Sequence, residues 1–113
     1  MSNEGGNLGL VCELGPGVFD SERKQRHETL TGEFVSQVEE MKELDDGYAF
    51  RVSSESASIV KLAEWVSLER LCCAFLKFAL EVEPEGGPVW LRLTGGPGVK
   101  ELLRSEIGAR QGS

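Results

Sequence analysis

Five glycine-containing breaks limit the folds open to this chain of 113 residues. They lie at Gly5-Gly6, Gly15-Pro16-Gly17, Asp45-Asp46-Gly47, Gly86-Gly87-Pro88 and Gly95-Gly96-Pro97-Gly98. Glycine and proline interrupt helices and strands, so the segments between these breaks must form short elements. A chain of this length supports one hydrophobic core. We therefore predict a single domain over residues 8–108, with a flexible N-terminus at residues 1–7 and a flexible C-terminus at residues 109–113.

Two pairs of strand-like segments predict β-hairpins. The first hairpin joins residues 38–44 to residues 48–52 through Asp46-Gly47, a dipeptide typical of tight hairpin turns, and we expect Gly47 to have a positive φ. The second joins residues 79–83 to residues 89–94. Its alternation predicts four inward-facing side chains: Leu80, Val82, Leu91 and Leu93.

One further strand and three helices complete the predicted fold. Apolar residues alternate over residues 8–14, which predicts a first strand with Cys12 facing the core. Helices are predicted at residues 21–36, at residues 55–77 and from Pro97 to just before Gly108. The resulting order, β-α-β-β-α-β-β-α, is typical of an α+β domain in which helices cover one side of an antiparallel sheet of about five strands.

The second predicted helix has a carboxylate at the centre of its apolar stripe. Seven of its side chains lie within roughly 60° of one line at about 100° per residue: Leu62, Trp65, Val66, Glu69, Cys72, Cys73 and Leu76. Moving a carboxylate out of water costs several kcal/mol unless it is protonated, paired or bound to a cation. The candidate partners of Glu69 are Arg70, His27, a thiol, a water molecule or a bound ion.

The thiols around Glu69 predict a site for a soft metal or metalloid ion. Thiolates of Cys12, Cys72 and Cys73 favour soft ions, and Glu69 can act as a further ligand. Adjacent side chains in a helix diverge by about 100°, so both neighbouring sulfurs reach one ion only if the helix loosens near its end or a second chain contributes. Structural zinc spacings such as C-x-x-C are absent from the sequence. His27 and Arg70 are secondary candidates.

Two other functions stay open at this point. Cysteine is among the most buried residue types, so the chain also fits a partner-binding or dimerising domain whose cysteines are structural. A small thiol- or carboxylate-dependent enzyme is the third hypothesis. It is disfavoured because Cys72 and Cys73 lie near a helix C-terminus beside an acid, and both features oppose a thiolate.

Charge and composition restrict the partners and the compartment. Nineteen acidic and twelve basic residues give a net charge of −7, which opposes binding to nucleic acid. The longest apolar run, residues 71–76, is too short to span a membrane, and the first residues lack the features of a secretory signal. We therefore expect a cytoplasmic protein with reduced cysteines and no structural disulfide. Its expected partners are a second copy of the chain or a regulator protein.

Residues 63–78, with residues 81–83 and 90–95, resemble a family of small, uncharacterised bacterial proteins. The mark of that family is Glu-Arg-x-Cys-Cys-x-Phe ahead of a hairpin, which stands here as Glu69 to Phe75. Its members occur alone or beside mercury-type metal-responsive regulators, so the resemblance implies the handling of soft metals. The family has a proline where this chain has Ala74, which leaves the end of the preceding helix undetermined.

Overall fold

A four-stranded antiparallel sheet forms the centre of the computed structural model, which describes residues 20–108. The strands are β1 (Glu40–Leu44), β2 (Gly47–Val52), β3 (Lys77–Val82) and β4 (Val89–Thr94), in the spatial order β1-β2-β4-β3. Both predicted hairpins and the α+β class are confirmed. The predicted strand at residues 8–14 lies outside the described residues, so the sheet has four described strands against about five predicted.

Helix α1 (Ser21–Ser36) has the predicted bounds. It begins where it does because the carboxylate of Asp20 accepts a hydrogen bond of 2.8 Å from the backbone N–H of Arg23, which satisfies one of the unpaired donors of the first turn. Helix α3 (Val99–Leu103) starts two residues later than the predicted Pro97 and continues into a π-helical turn at Arg104–Gly108. None of the helices within residues 20–108 has the length and apolar character needed to cross a membrane.

Helix α2 (Ser56–Cys72) ends earlier than the predicted residue 77. Cys73 has φ −119° and ψ 70°, outside the helical region, although its N–H still bonds to the carbonyl oxygen of Glu69 at 2.7 Å. The chain then turns, with Leu76 N–H bonded to Cys73 carbonyl oxygen at 3.1 Å. The helix must end here because β3 starts at Lys77 and pairs with β4 over its whole length.

Aromatic side chains fix the helices on one face of the sheet. Phe34 of α1 meets Phe50 of β2 edge to face, with ring centroids 5.7 Å apart. Phe34 also stacks on Trp65 of α2 at 4.6 Å, and Trp65 meets Phe78 of β3 at 6.3 Å. Phe50 and the β4 residue opposite it, Leu91, are both fully buried. This layer of rings sets the position of α1 relative to α2.

The four residues predicted to face inward in the second hairpin differ in burial between the two strands. Leu91 and Leu93 on the central strand β4 are fully buried, as predicted. Leu80 and Val82 share their face of the sheet by register but are 38% and 56% exposed. The prediction of burial is wrong for these two, because β3 is an edge strand of the described sheet.

Gly47 does not have the predicted positive φ. The turn consists of Asp45 and Asp46, and Gly47 is the first residue of β2, opposite Leu44 on one side and Thr94 on the other. A Cβ at this position would overlap the carbonyl oxygen of Leu93 and lie 2.8 Å from the Cα of Thr94. Glycine is therefore required here by the close approach of two backbones rather than by backbone conformation.

Candidate functional site

Four of the predicted site residues meet where α1 packs against the end of α2. His27 lies in the middle of α1, Glu69 in the last turn of α2, and Cys72 and Cys73 at the helix end. A carboxylate oxygen of Glu69 and the two sulfurs lie within 4.8 Å of one another. Two further residues were predicted: Arg70, which is described below, and Cys12, which lies outside the described residues.

His27 is the described partner of Glu69. Its Nε2 lies 2.6 Å from Glu69 Oε1, and the two side chains are only 11% and 13% exposed. Arg70, the other charged candidate, is exposed, because its position one residue further along the helix turns it about 100° away from the stripe. The predicted burial of Glu69 is confirmed, and a histidine from the neighbouring helix contacts it.

The sulfurs of Cys72 and Cys73 converge because the helix ends between them. Cys73 leaves the helical conformation, and its Sγ comes to 3.8 Å from that of Cys72. Two thiolates bound at about 2.3 Å to one tetrahedral ion stand about 3.8 Å apart. The spacing of the two sulfurs therefore matches that of two ligands of a single tetrahedral metal ion.

Cys73 is a disulfide cysteine in this structure. Its bond is not to Cys72, because a separation of 3.8 Å is far longer than the S–S bond length of about 2.05 Å. The expectation that no cysteine forms a disulfide is therefore wrong for Cys73. That expectation weighed only the geometry of the Cys72–Cys73 pair, the odd number of cysteines and the expected compartment, and none of these excludes a disulfide at Cys73.

A cavity of about 190 Å³ adjoins this cluster. Its polar end is formed by His27, Thr31, Glu69 and Cys72, and its apolar walls by residues of both long helices, β4 and the C-terminal turn, among them Phe34, Trp65, Leu76, Leu93, Leu103 and Ile107. Exposed Glu28 and Glu106 also line the cavity. Cys73 is fully buried and is not part of the cavity wall.

Comparison with known proteins identifies no relative. No family model, curated protein or solved structure matches the chain. The resemblance to the Glu-Arg-x-Cys-Cys-x-Phe family stays a prediction, and the function is argued below from the site.

Thr31 is a residue of the site that the sequence did not reveal. Its hydroxyl donates to the carbonyl oxygen of His27 at 2.7 Å and accepts from Trp65 Nε1 at 3.0 Å. It therefore fixes the turn of α1 that carries His27 and the indole that forms one wall of the cavity. The available signal was its spacing of four residues from His27, which places both on one face of α1.

An ion pair next to the site also joins the two helices. Arg26 donates from Nε and Nη2 to the two carboxylate oxygens of Glu64, at 2.9 and 2.7 Å. The hydrogen bond from Arg26 holds the pKa of Glu64 below its ordinary value of 4.5. Because Arg26 precedes His27 in α1, this bidentate contact helps to set how far α1 lies from the helix that carries Glu69.

Proposed function

We propose that the reduced protein binds one soft metal or metalloid ion through Cys72 and Cys73, as a buffer or as an accessory to a sensor. Glu69 is the third ligand, and His27 orients its carboxylate. Cys12 stays the predicted third thiol. The observation that carries this proposal is the 3.8 Å separation of the two sulfurs beside the Glu69 carboxylate.

The ligand types favour soft ions over hard ones. Sulfur ligands select Zn(II), Cu(I), Cd(II)-like ions and metalloids, whereas Mg(II) requires oxygen ligands and retains several waters. The hydrogen bond from His27 to Glu69 is the kind of outer contact that fixes the orientation of a ligand. Only the reduced state has both thiolates, so binding requires reduction of the disulfide of Cys73.

Charge balance also supports a divalent ion at this site. A divalent ion bound to two thiolates carries no net charge. Buried charges are tolerated where they are paired and hydrogen-bonded. The exposed carboxylates of Glu28 and Glu106 beside the cavity would attract an incoming cation.

Native mass spectrometry of the reduced protein with Cd(II) tests the proposal. We expect one ion per chain, and loss of most of this binding in Cys72→Ser and in Cys73→Ser. His27→Gln should weaken binding by about 10–100-fold, as for other outer contacts of metal ligands. Cys12→Ser measures whether the predicted third thiol takes part, and Mg(II) is the control ion. One bound ion per chain in both Cys72→Ser and Cys73→Ser, as in the wild type, would contradict the proposal.

One observation favours the alternative of a partner-binding domain. Leu80 and Val82 present exposed apolar side chains on β3, an edge strand of the sheet formed by residues 20–108. Exposed edge strands pair readily with a second chain. Sedimentation equilibrium of the wild type and of Val82→Lys would test it. A concentration-dependent dimer that the lysine abolishes is the expected result for this function, and a monomer at all concentrations excludes self-association through this edge.

A further inference from the structure

We propose that the natural ligand carries one apolar organic group, and that a monosubstituted trivalent arsenical, R–As(OH)₂, is the class that fits the site best. This inference rests on the proposed function, because the arsenic binds to the same two sulfurs. It adds a role for the cavity, which holds the group R.

The position of the thiols relative to the cavity is the first argument. Cys72 and Glu69 line the cavity, whereas Cys73 is fully buried behind it. An atom bound to both sulfurs therefore borders the cavity on one side and the protein core on the other. A substituent on that atom can therefore extend into the cavity.

The size and lining of the cavity are the second argument. Its walls beyond the polar end are aliphatic and aromatic: Phe34, Trp65, Leu76, Leu93, Leu103 and Ile107. A bare ion makes no use of such walls, whereas an apolar group gains free energy by leaving water. An apolar cavity of about 150 Å³ is large enough to bind benzene. The 190 Å³ here therefore accommodates a phenyl-sized substituent.

The valence of trivalent arsenic is the third argument. In R–As(OH)₂ + 2 Cys–SH → R–As(S–Cys)₂ + 2 H₂O, two As–O bonds break and two As–S bonds form. Each thiol proton leaves with a hydroxide as water, arsenic stays trivalent, and nothing is oxidised or reduced. The product is neutral and has one substituent besides the two sulfurs.

The test compares phenylarsine oxide with arsenite on the reduced protein. For each compound the dissociation constant is measured against dithiothreitol as a competing dithiol, so that the general preference of dithiols for aryl arsenicals cancels. The preference is the ratio of the dissociation constant for arsenite to that for phenylarsine oxide. We expect this ratio to be at least tenfold larger for the wild-type protein than for dithiothreitol. Ile107→Trp, which fills the cavity, should remove this extra preference and leave arsenite affinity within about threefold of wild type.

A second variant and a fluorescence measurement test the same inference if Ile107→Trp does not fold. Leu102 is a half-buried residue of the cavity wall, so Leu102→Phe narrows the cavity with less disturbance of the core. In a Trp90→Phe background, Trp65 is the single tryptophan, and its emission should change with phenylarsine oxide and not with arsenite.

The two proposals fail in different ways. Equal preference by the protein and by dithiothreitol, or an unchanged preference in the filled-cavity variants, overturns the organic-ligand inference while arsenite and Cd(II) binding stand. Absence of binding of arsenite and Cd(II) to the reduced wild type overturns the proposed function itself.

Discussion

His27 on α1 and Glu69 on α2 are joined by a 2.6 Å hydrogen bond between two side chains that are almost completely removed from solvent. The pair lies at the polar end of an otherwise apolar cavity. Each group supplies the partner that the other needs in order to be buried. The contact therefore joins the packing of the two helices to the chemistry of the thiol site.

We expect a double-mutant cycle to show strong coupling between these two residues. Glu69→Gln and His27→Gln each disturb a buried hydrogen bond, and contacting residues in one network couple by about 0.5–3 kcal/mol. The free energy of unfolding of both single variants and of the double variant, measured in urea, gives the coupling. Glu28→Gln, an exposed change on the same helix, should stay within about 0.5 kcal/mol of wild type. Additive effects would show that the contact contributes nothing to stability.

The sequence predicted the members of this site better than their arrangement. Periodicity placed Glu69 on a buried stripe of α2, but two charged candidates, His27 and Arg70, remained as its partner. Only the packing of α1 on α2 distinguishes them, because it brings His27 into contact with Glu69 and leaves Arg70 exposed to solvent. Contacts between elements depend on the angle and distance at which the elements pack. The periodicity of a single element does not predict either quantity.

Three other features depended on long-range structure in the same way. The end of α2 is set by the pairing of β3 with β4 rather than by a local breaker, and this early end brings the two sulfurs together. The exposure of Leu80 and Val82 follows from the spatial order of the four described strands, which places β4 in the interior of that sheet and β3 at its edge. The cavity requires the C-terminal turn to lie against α1 and α2.

Gly47→Ala should destabilise the protein by about 1–3 kcal/mol, the usual range for forcing extra atoms into a packed site. The added methyl group would overlap the carbonyl oxygen of Leu93 and push β2 away from β4. Gly96→Ala is the matched control, because a Cβ there meets nothing within 4 Å. Urea unfolding of both variants measures the difference. If the two substitutions cost the same, the close approach of the strands at Gly47 is not what requires glycine.

Acid should weaken the contact between Arg26 and Glu64. The hydrogen bond from Arg26 lowers the pKa of Glu64 in the folded state, so the stabilisation is complete above the unfolded pKa near 4.5 and is lost as the pH falls through the folded pKa. Both side chains are more than 40% exposed, so the effect is small and salt-sensitive. Melting temperatures at pH 3–6 should fall less steeply with acid in Glu64→Gln and in Arg26→Gln. Unchanged slopes in both variants would contradict this assignment.

Reduction should switch metal binding on. In the oxidised protein Cys73 is in a disulfide and supplies no thiolate, so Cd(II) should leave the melting temperature unchanged. After reduction, the count of titratable thiols per chain should rise, and Cd(II) at 100 times its dissociation constant should stabilise the folded state by about 2.7 kcal/mol. Cys73→Ser should abolish this metal-dependent stabilisation in either redox state, whereas Ser36→Cys, an exposed thiol on α1, should not create it in that background. Equal stabilisation of oxidised and reduced protein would show that Cys73 is not a ligand and would leave it a structural role, in packing and in its disulfide.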